Sequence, residues 1–194
     1  TVSTTGDSSP AIMIADGGGI LIAEGGSFTT SGAMSQGIYS KGDVTVTNAS
    51  VNALNAKAAV LKGNNTITLS GTTLEGKETT DAVPYNIVLF SDEKDIGTMG
   101  TQHFDVRGGS LISHKGGMFY VTATHGKISL NGTAITMDDP AANLITVAGN
   151  DGANGWGTPG RNGGHVELVA DNQVLTGNIS VDSISNINMT LKNN

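Results

Sequence analysis

Asp43-Val44-Thr45-Val46-Thr47, followed by Asn48-Ala49-Ser50-Val51, is echoed by Asn65-Thr66-Ile67-Thr68-Leu69 with Ser70-Gly71-Thr72-Thr73-Leu74. Each phrase alternates apolar and polar residues, so one set of side chains faces inward and the other outward along a short strand. A Gly or Asn follows and marks a corner. The same texture recurs at Ile20-Leu21-Ile22, Phe104-Asp105-Val106, Ile128-Ser129-Leu130 and Val166-Glu167-Leu168. The first residues of these six segments are separated by 24, 23, 37, 24 and 38 positions. Downstream of each lies a second apolar point (Phe28, Val51, Leu74, Leu111, Ile135, Leu175) and then a third (Ile38, Val60, Ile87, Phe119, Ile145, Ile179). Three apolar points per period of ~23 residues mean three short strands per turn of a coil.

The spacing predicts an all-β, right-handed parallel β-helix of about seven three-strand rungs, with equivalent positions stacked ~4.8 Å apart in columns. A single domain spans residues 1–194 in this reading, with a partial first rung and an irregular last one. The alternating pattern at Met189-Thr190-Leu191 carries no covering helix, so further rungs are expected in a larger surface protein. Two other architectures compete. Asn52 to Lys62 is rich in Ala, Leu and Lys and suits a helix, yet its apolar points stay in step with the neighbouring periods. An antiparallel Greek-key sandwich also spaces short strands regularly, but does not require a constant three-strand period.

Composition agrees. The chain has 28 Gly in 194 residues, roughly twice the usual share, scattered without a three-residue period, which excludes collagen and disfavours long helices. The net charge of −7 repels nucleic acid and anionic membrane. No apolar run approaches the ~20 residues of a membrane-spanning helix. With no Cys there is neither disulfide framework nor thiolate chemistry, which is compatible with an extracellular or bacterial cell-surface location.

The repeats also resemble the pectin-lyase-like β-helix repeats of bacterial surface adhesins and autotransporter passenger domains. The likeness rests on the two phrases quoted first and on Gly32-Ala33-Met34-Ser35-Gln36-Gly37-Ile38-Tyr39 and Gly6-Asp7-Ser8-Ser9-Pro10-Ala11-Ile12, which are similar to the corner such repeats carry. The resemblance implies a secreted or surface-exposed adhesin-like domain. It also implies an alternative, because pectin-lyase-like β-helices include polysaccharide lyases and glycoside hydrolases.

Chemistry should sit where the period breaks. The two long intervals place about 14 extra residues each at the same corner, two rungs apart, and loops on a rigid scaffold are where binding groups collect. The first insertion carries Asp92, Glu93 and Asp95; the second carries Asn150, Asp151, Asn154, the single Trp156 and Arg161. An aromatic face beside planar polar side chains suits a sugar, so Trp156, Arg161, Asn154, Asp151, Asp92 and Asp95 are the candidate ligand-binding residues, for glycan or for a host or neighbour-cell protein. Trp156 could equally anchor its own loop. The acidic runs offer hard oxygen ligands for Ca²⁺ but match no calcium-loop spacing, so no cofactor is expected. His103 and His165 fall in one register two rungs apart, too far to share an ion. Asp105, Arg107 and Glu167 share an outward face, with Glu167 expected in the column of Asp105 at ~10 Å, beyond the carboxylate spacing of glycosidases. Outward Thr45, Thr47, Thr66 and Thr68 could form an ice-binding array, but charged residues interrupt the same columns.

Overall fold

The computed structural model describes residues 1–82, 84–91, 100–149 and 162–194. Among the described residues, twenty strands follow one another in triplets. The first rung is β1 (Val2–Thr4), β2 (Ile12–Ile14) and β3 (Ile20–Glu24); the second is β4 (Ser27–Thr30), β5 (Ile38–Ser40) and β6 (Asp43–Thr47). Then come β7 (Ser50–Ala53), β8 (Ala59–Lys62) and β9 (Thr66–Ser70), followed by β10 (Thr73–Gly76), β11 (Tyr85–Phe90) and β12 (Thr101–Arg107). The fifth rung is β13 (Ser110–Ser113), β14 (Gly117–Thr122) and β15 (His125–Asn131); the sixth is β16 (Ala134–Met137), β17 (Asn143–Val147) and β18 (His165–Asp171). The seventh has only β19 (Asn178–Val181) and β20 (Asn186–Lys192). Corresponding strands of successive rungs pair in parallel, giving sheets of six, seven and seven strands. This is a parallel β-helix with three strands per rung. Asn52 to Lys62 forms parts of β7 and β8, because its Ala53, Ala59 and Leu61 side chains complete inward columns.

The corner from the third sheet back to the first explains why the period is so even. Gly25, Asn48, Gly71, Gly108, Gly132, Asn172 and Asn193 occupy this corner in successive rungs, each with φ between 48° and 68°. Gly and Asn tolerate that left-handed conformation at little cost. Their amides continue the ladder round the bend: Asn48 N–H donates to Ser70 O at 2.8 Å and Gly71 N–H to Arg107 O at 2.8 Å. Where the seventh rung lacks a strand in the first sheet, Gln173 takes over, its Oε1 accepting from Thr133 N–H at 2.9 Å and its Nε2 donating to Thr133 O at 2.7 Å.

The core lies inside the coil. On the third sheet, one inward column is Leu21, Val44, Ile67, Phe104, Ile128, Leu168 and Met189; the next is Ala23, Val46, Leu69, Val106, Leu130, Ala170 and Leu191. Full burial of a Leu, Val or Phe side chain in these columns contributes about 1.5–3 kcal/mol.

This register corrects the sequence reading at its ends. Aligning Ile22 and Leu168 with Val46, Leu69, Val106 and Leu130 is wrong at both. Ile22 pairs with Thr45 and is 75% exposed, because a slip of one residue turns a side chain to the other face. Leu168 pairs with Ile128, a shift of two that keeps it buried but moves it one column over. On the second sheet Val60 also faces outward, since its neighbour Ala59 is the residue aligned with Ile38 and Ile87. There it joins Val88, Phe90 and Tyr120 in a buried apolar cluster on the outside of the coil.

Candidate ligand-binding face

Both long connections leave the second sheet and enter the third at one corner: Ser91 to Gly100 joins β11 to β12, and Ala148 to Gly164 joins β17 to β18. The intervening rung crosses the same corner with only Ala123 and Thr124. The expected separation of two rungs is therefore found. Asp92, Asp95, Asp151, Asn154, Trp156 and Arg161 themselves lie outside the described residues, as do Glu93 and Asn150.

The feet of both insertions are firmly held. Gly100 O accepts from His125 N–H at 3.1 Å and from the Thr124 hydroxyl at 2.9 Å. Asn162 O accepts from Ala123 N–H at 2.8 Å. Gly149 N–H donates to Asp182 Oδ2 at 2.7 Å, and Ile184 N–H donates to Oδ1 of the same carboxylate at 3.1 Å. Partial burial pushes the Asp182 carboxyl up, but donors from Ser185, Gly149 and Ile184 outweigh it and hold the group below its ordinary value. An ionised Asp182 thus ties the second insertion to the last rung.

Beside this corner runs the outer face of the third sheet, whose alternation places four polar columns in a row. Nearest the corner are Thr101, His125, His165 and Asn186; next are Thr66, His103, Lys127, Glu167 and Asn188. Then follow Thr68, Asp105, Ser129 and Val169, and finally Ser70, Arg107, Asn131 and Asp171. The first two columns floor an open hollow of about 270 Å³, and the last two a second of about 450 Å³. In the second hollow neither Asp105 nor Arg107 pairs with a described residue. Fixed two residues apart on one strand face, ~7 Å between backbones, they offer an acceptor and a guanidinium fork to a ligand bearing hydroxyl or carboxylate groups.

Two sequence expectations change here. Glu167 is not in the column of Asp105, which continues through Ser129 to Val169; it stands beside Lys127, 3.4 Å from its Nζ. The carboxylate sharing the hollow with Asp105 is Asp171, two rungs and two residues away, roughly 12 Å between backbones. His165 does not share a column with His103. It stacks directly on His125 of the adjacent rung, ring centroids 5.0 Å apart and planes inclined by 26°. Aligning Ile128-Ser129-Leu130 with Leu168-Val169-Ala170 brings these histidines together in the sequence; choosing Val166 as the start of the strand hides them.

Two further charged clusters act as staples. Lys57 binds Glu78 and Asp81 where the first sheet turns into the second. His114 bridges Glu75 and Asp138 across three rungs. No group of three or more His, Asp or Glu side chains among the described residues has an arrangement that could hold a metal ion. No helix among the described residues is long and apolar enough to cross a membrane.

Comparison with protein-family models, with curated proteins and with solved structures finds no match for the chain.

Proposed function

We propose that the chain is a non-catalytic, adhesin-like display domain of a cell-surface or secreted protein, and that it binds a glycan where the insertion corner meets the outer face of the third sheet. The observation that carries this reading is the convergence of two insertions on one corner, two rungs apart, beside an open polar hollow, with a second hollow further along the same sheet face. Rigid strands hold Asp105, Arg107 and Asn131 in place without ligand, which lowers the entropy cost of binding. Trp156 and Arg161, carried by the second insertion, supply an aromatic face and a further planar donor in this proposal. A protein partner on a neighbouring cell is the other ligand class that such loops suit.

The test is a glycan array probed with the wild-type domain and with Asp105→Asn, Arg107→Ala and Trp156→Ala. Binding by wild type that weakens by about 1–3 kcal/mol in these variants, at unchanged melting temperature, supports the reading. Cleavage of a bound polysaccharide, or binding untouched by all three substitutions, overturns it.

A further inference from the structure

We infer that His125 and His165 form a binding site for one divalent transition-metal ion of the imidazole-preferring class, Cu²⁺ above Ni²⁺ and Zn²⁺. The site follows from the register: the two residues are Cα partners on β15 and β18, both outward, with rings stacked 5.0 Å apart on a sheet that holds their backbones fixed. Two nitrogens bound to one ion at ~2.0–2.1 Å lie about 3 to 4 Å apart with both in-plane lone pairs aimed at it, so the stacked rings must swing out of the stack about their side-chain torsions. The rings have room to do so, since they line the open hollow rather than the core.

His165 has a neighbour able to orient its ring. The Asn186 amide nitrogen Nδ2, one rung on in the same column, lies 2.7 Å from its Nδ1. As placed, this amide nitrogen donates to Nδ1 and the ring proton sits on Nε2; on metal binding the amide turns so that its oxygen accepts the Nδ1 proton and the Nε2 lone pair is free for the ion. His125 makes no hydrogen bond through its ring to a described residue, so binding a metal there gives up only the stacking contact with His165. Two imidazoles are the whole protein donor set, and water takes the remaining positions. Such a site is open to exchange and selects by the Irving–Williams order, which puts Cu²⁺ first. The neighbouring Lys127 and Glu167 neutralise each other at 3.4 Å and leave the pocket's charge near zero.

Titration of the 194-residue chain with Cu²⁺ alone, followed by calorimetry and electron paramagnetic resonance, tests this. The expected result is one Cu²⁺ per chain at this site with hyperfine structure from two nitrogens. His125→Asn and His165→Asn should each weaken it at least tenfold. Asn186→Ala should weaken it by a smaller factor. His103→Asn and His114→Asn should leave it unchanged. Melting curves of the variants should overlay that of wild type, because these side chains lie outside the core. Absence of Cu²⁺ binding, or binding equal to wild type in the His125→Asn/His165→Asn double variant, overturns the assignment.

Discussion

Lys57 donates to the Glu78 carboxylate across 2.7 Å at a corner where Glu78 is only 2% exposed. The other Glu78 oxygen accepts from Thr80 N–H at 2.6 Å and from the Thr80 hydroxyl at 2.5 Å. Burial alone would push this carboxyl up; the Lys57 and Thr80 donors outweigh it and keep the group below its ordinary value. Removing one partner therefore strands a buried charge. Lys57→Met should destabilise the chain by about 3–5 kcal/mol. The double variant Lys57→Met/Glu78→Leu should recover much of the loss. Chemical denaturation of the three proteins measures both effects, and equal stability of Lys57→Met and wild type would show that the pair is not needed.

The third-sheet register separates two aliphatic residues that look alike in sequence. Val106 is 1% exposed and faces the core, so Val106→Asp buries an unpaired carboxylate and should cost several kcal/mol, enough to unfold a marginal domain. Ile22→Asp, on the outward face of β3, should stay within about 0.5 kcal/mol of wild type. Thermal melts of the two variants check this, and comparable losses in both would refute the register.

Adjacent glycines at one corner obey different constraints. Gly108 has φ of 60°, but a Cβ added there would meet only open space, so Gly108→Asn, the residue that serves at Asn48 and Asn172, should be nearly neutral. Gly109 has φ of 65°, and a Cβ there would lie 2.2 Å from Thr72 O. Gly109→Ala must push two rungs apart and should cost more than ~2 kcal/mol. Unfolding midpoints of both variants decide the matter.

His114 introduces a pH dependence of known sign. Its hydrogen bonds to Asp138, at 2.8 Å from Nδ1, and to Glu75, at 2.5 Å from Nε2, raise its pKa above the ordinary 6.5. Protonated His114 therefore favours the folded state: its contribution is complete below about pH 6.5 and disappears as pH rises through the higher folded value. The group is partly exposed, so the effect is modest and salt-sensitive. Melting temperature should fall as pH rises above about 6.5 in wild type and fall less in His114→Gln. Parallel pH profiles for the two proteins would eliminate His114 as the source.

Alternation of apolar and polar residues, the corner Gly and Asn, and the constant period were enough to determine a three-strand coil and the common corner of both insertions. These are local properties: each strand's two faces and each turn's left-handed residue are written in a few consecutive positions. Which residue stacks on which was decided by the tertiary structure, because parallel register depends on how far each strand's start is displaced by the corner before it. At Ala23 and Ile22 an apolar residue occupies both faces, so the pattern is ambiguous by one position; at Val166 and Leu168 it is ambiguous by two. The long-range ladder resolves both by placing Ala23 on Val46 and Leu168 on Ile128, and with the same displacement it sets His165 on His125 and moves Glu167 away from Asp105. The side-chain partnerships of the outer face are thus consequences of stacking between residues 24 to 40 positions apart, which no local window of sequence contains.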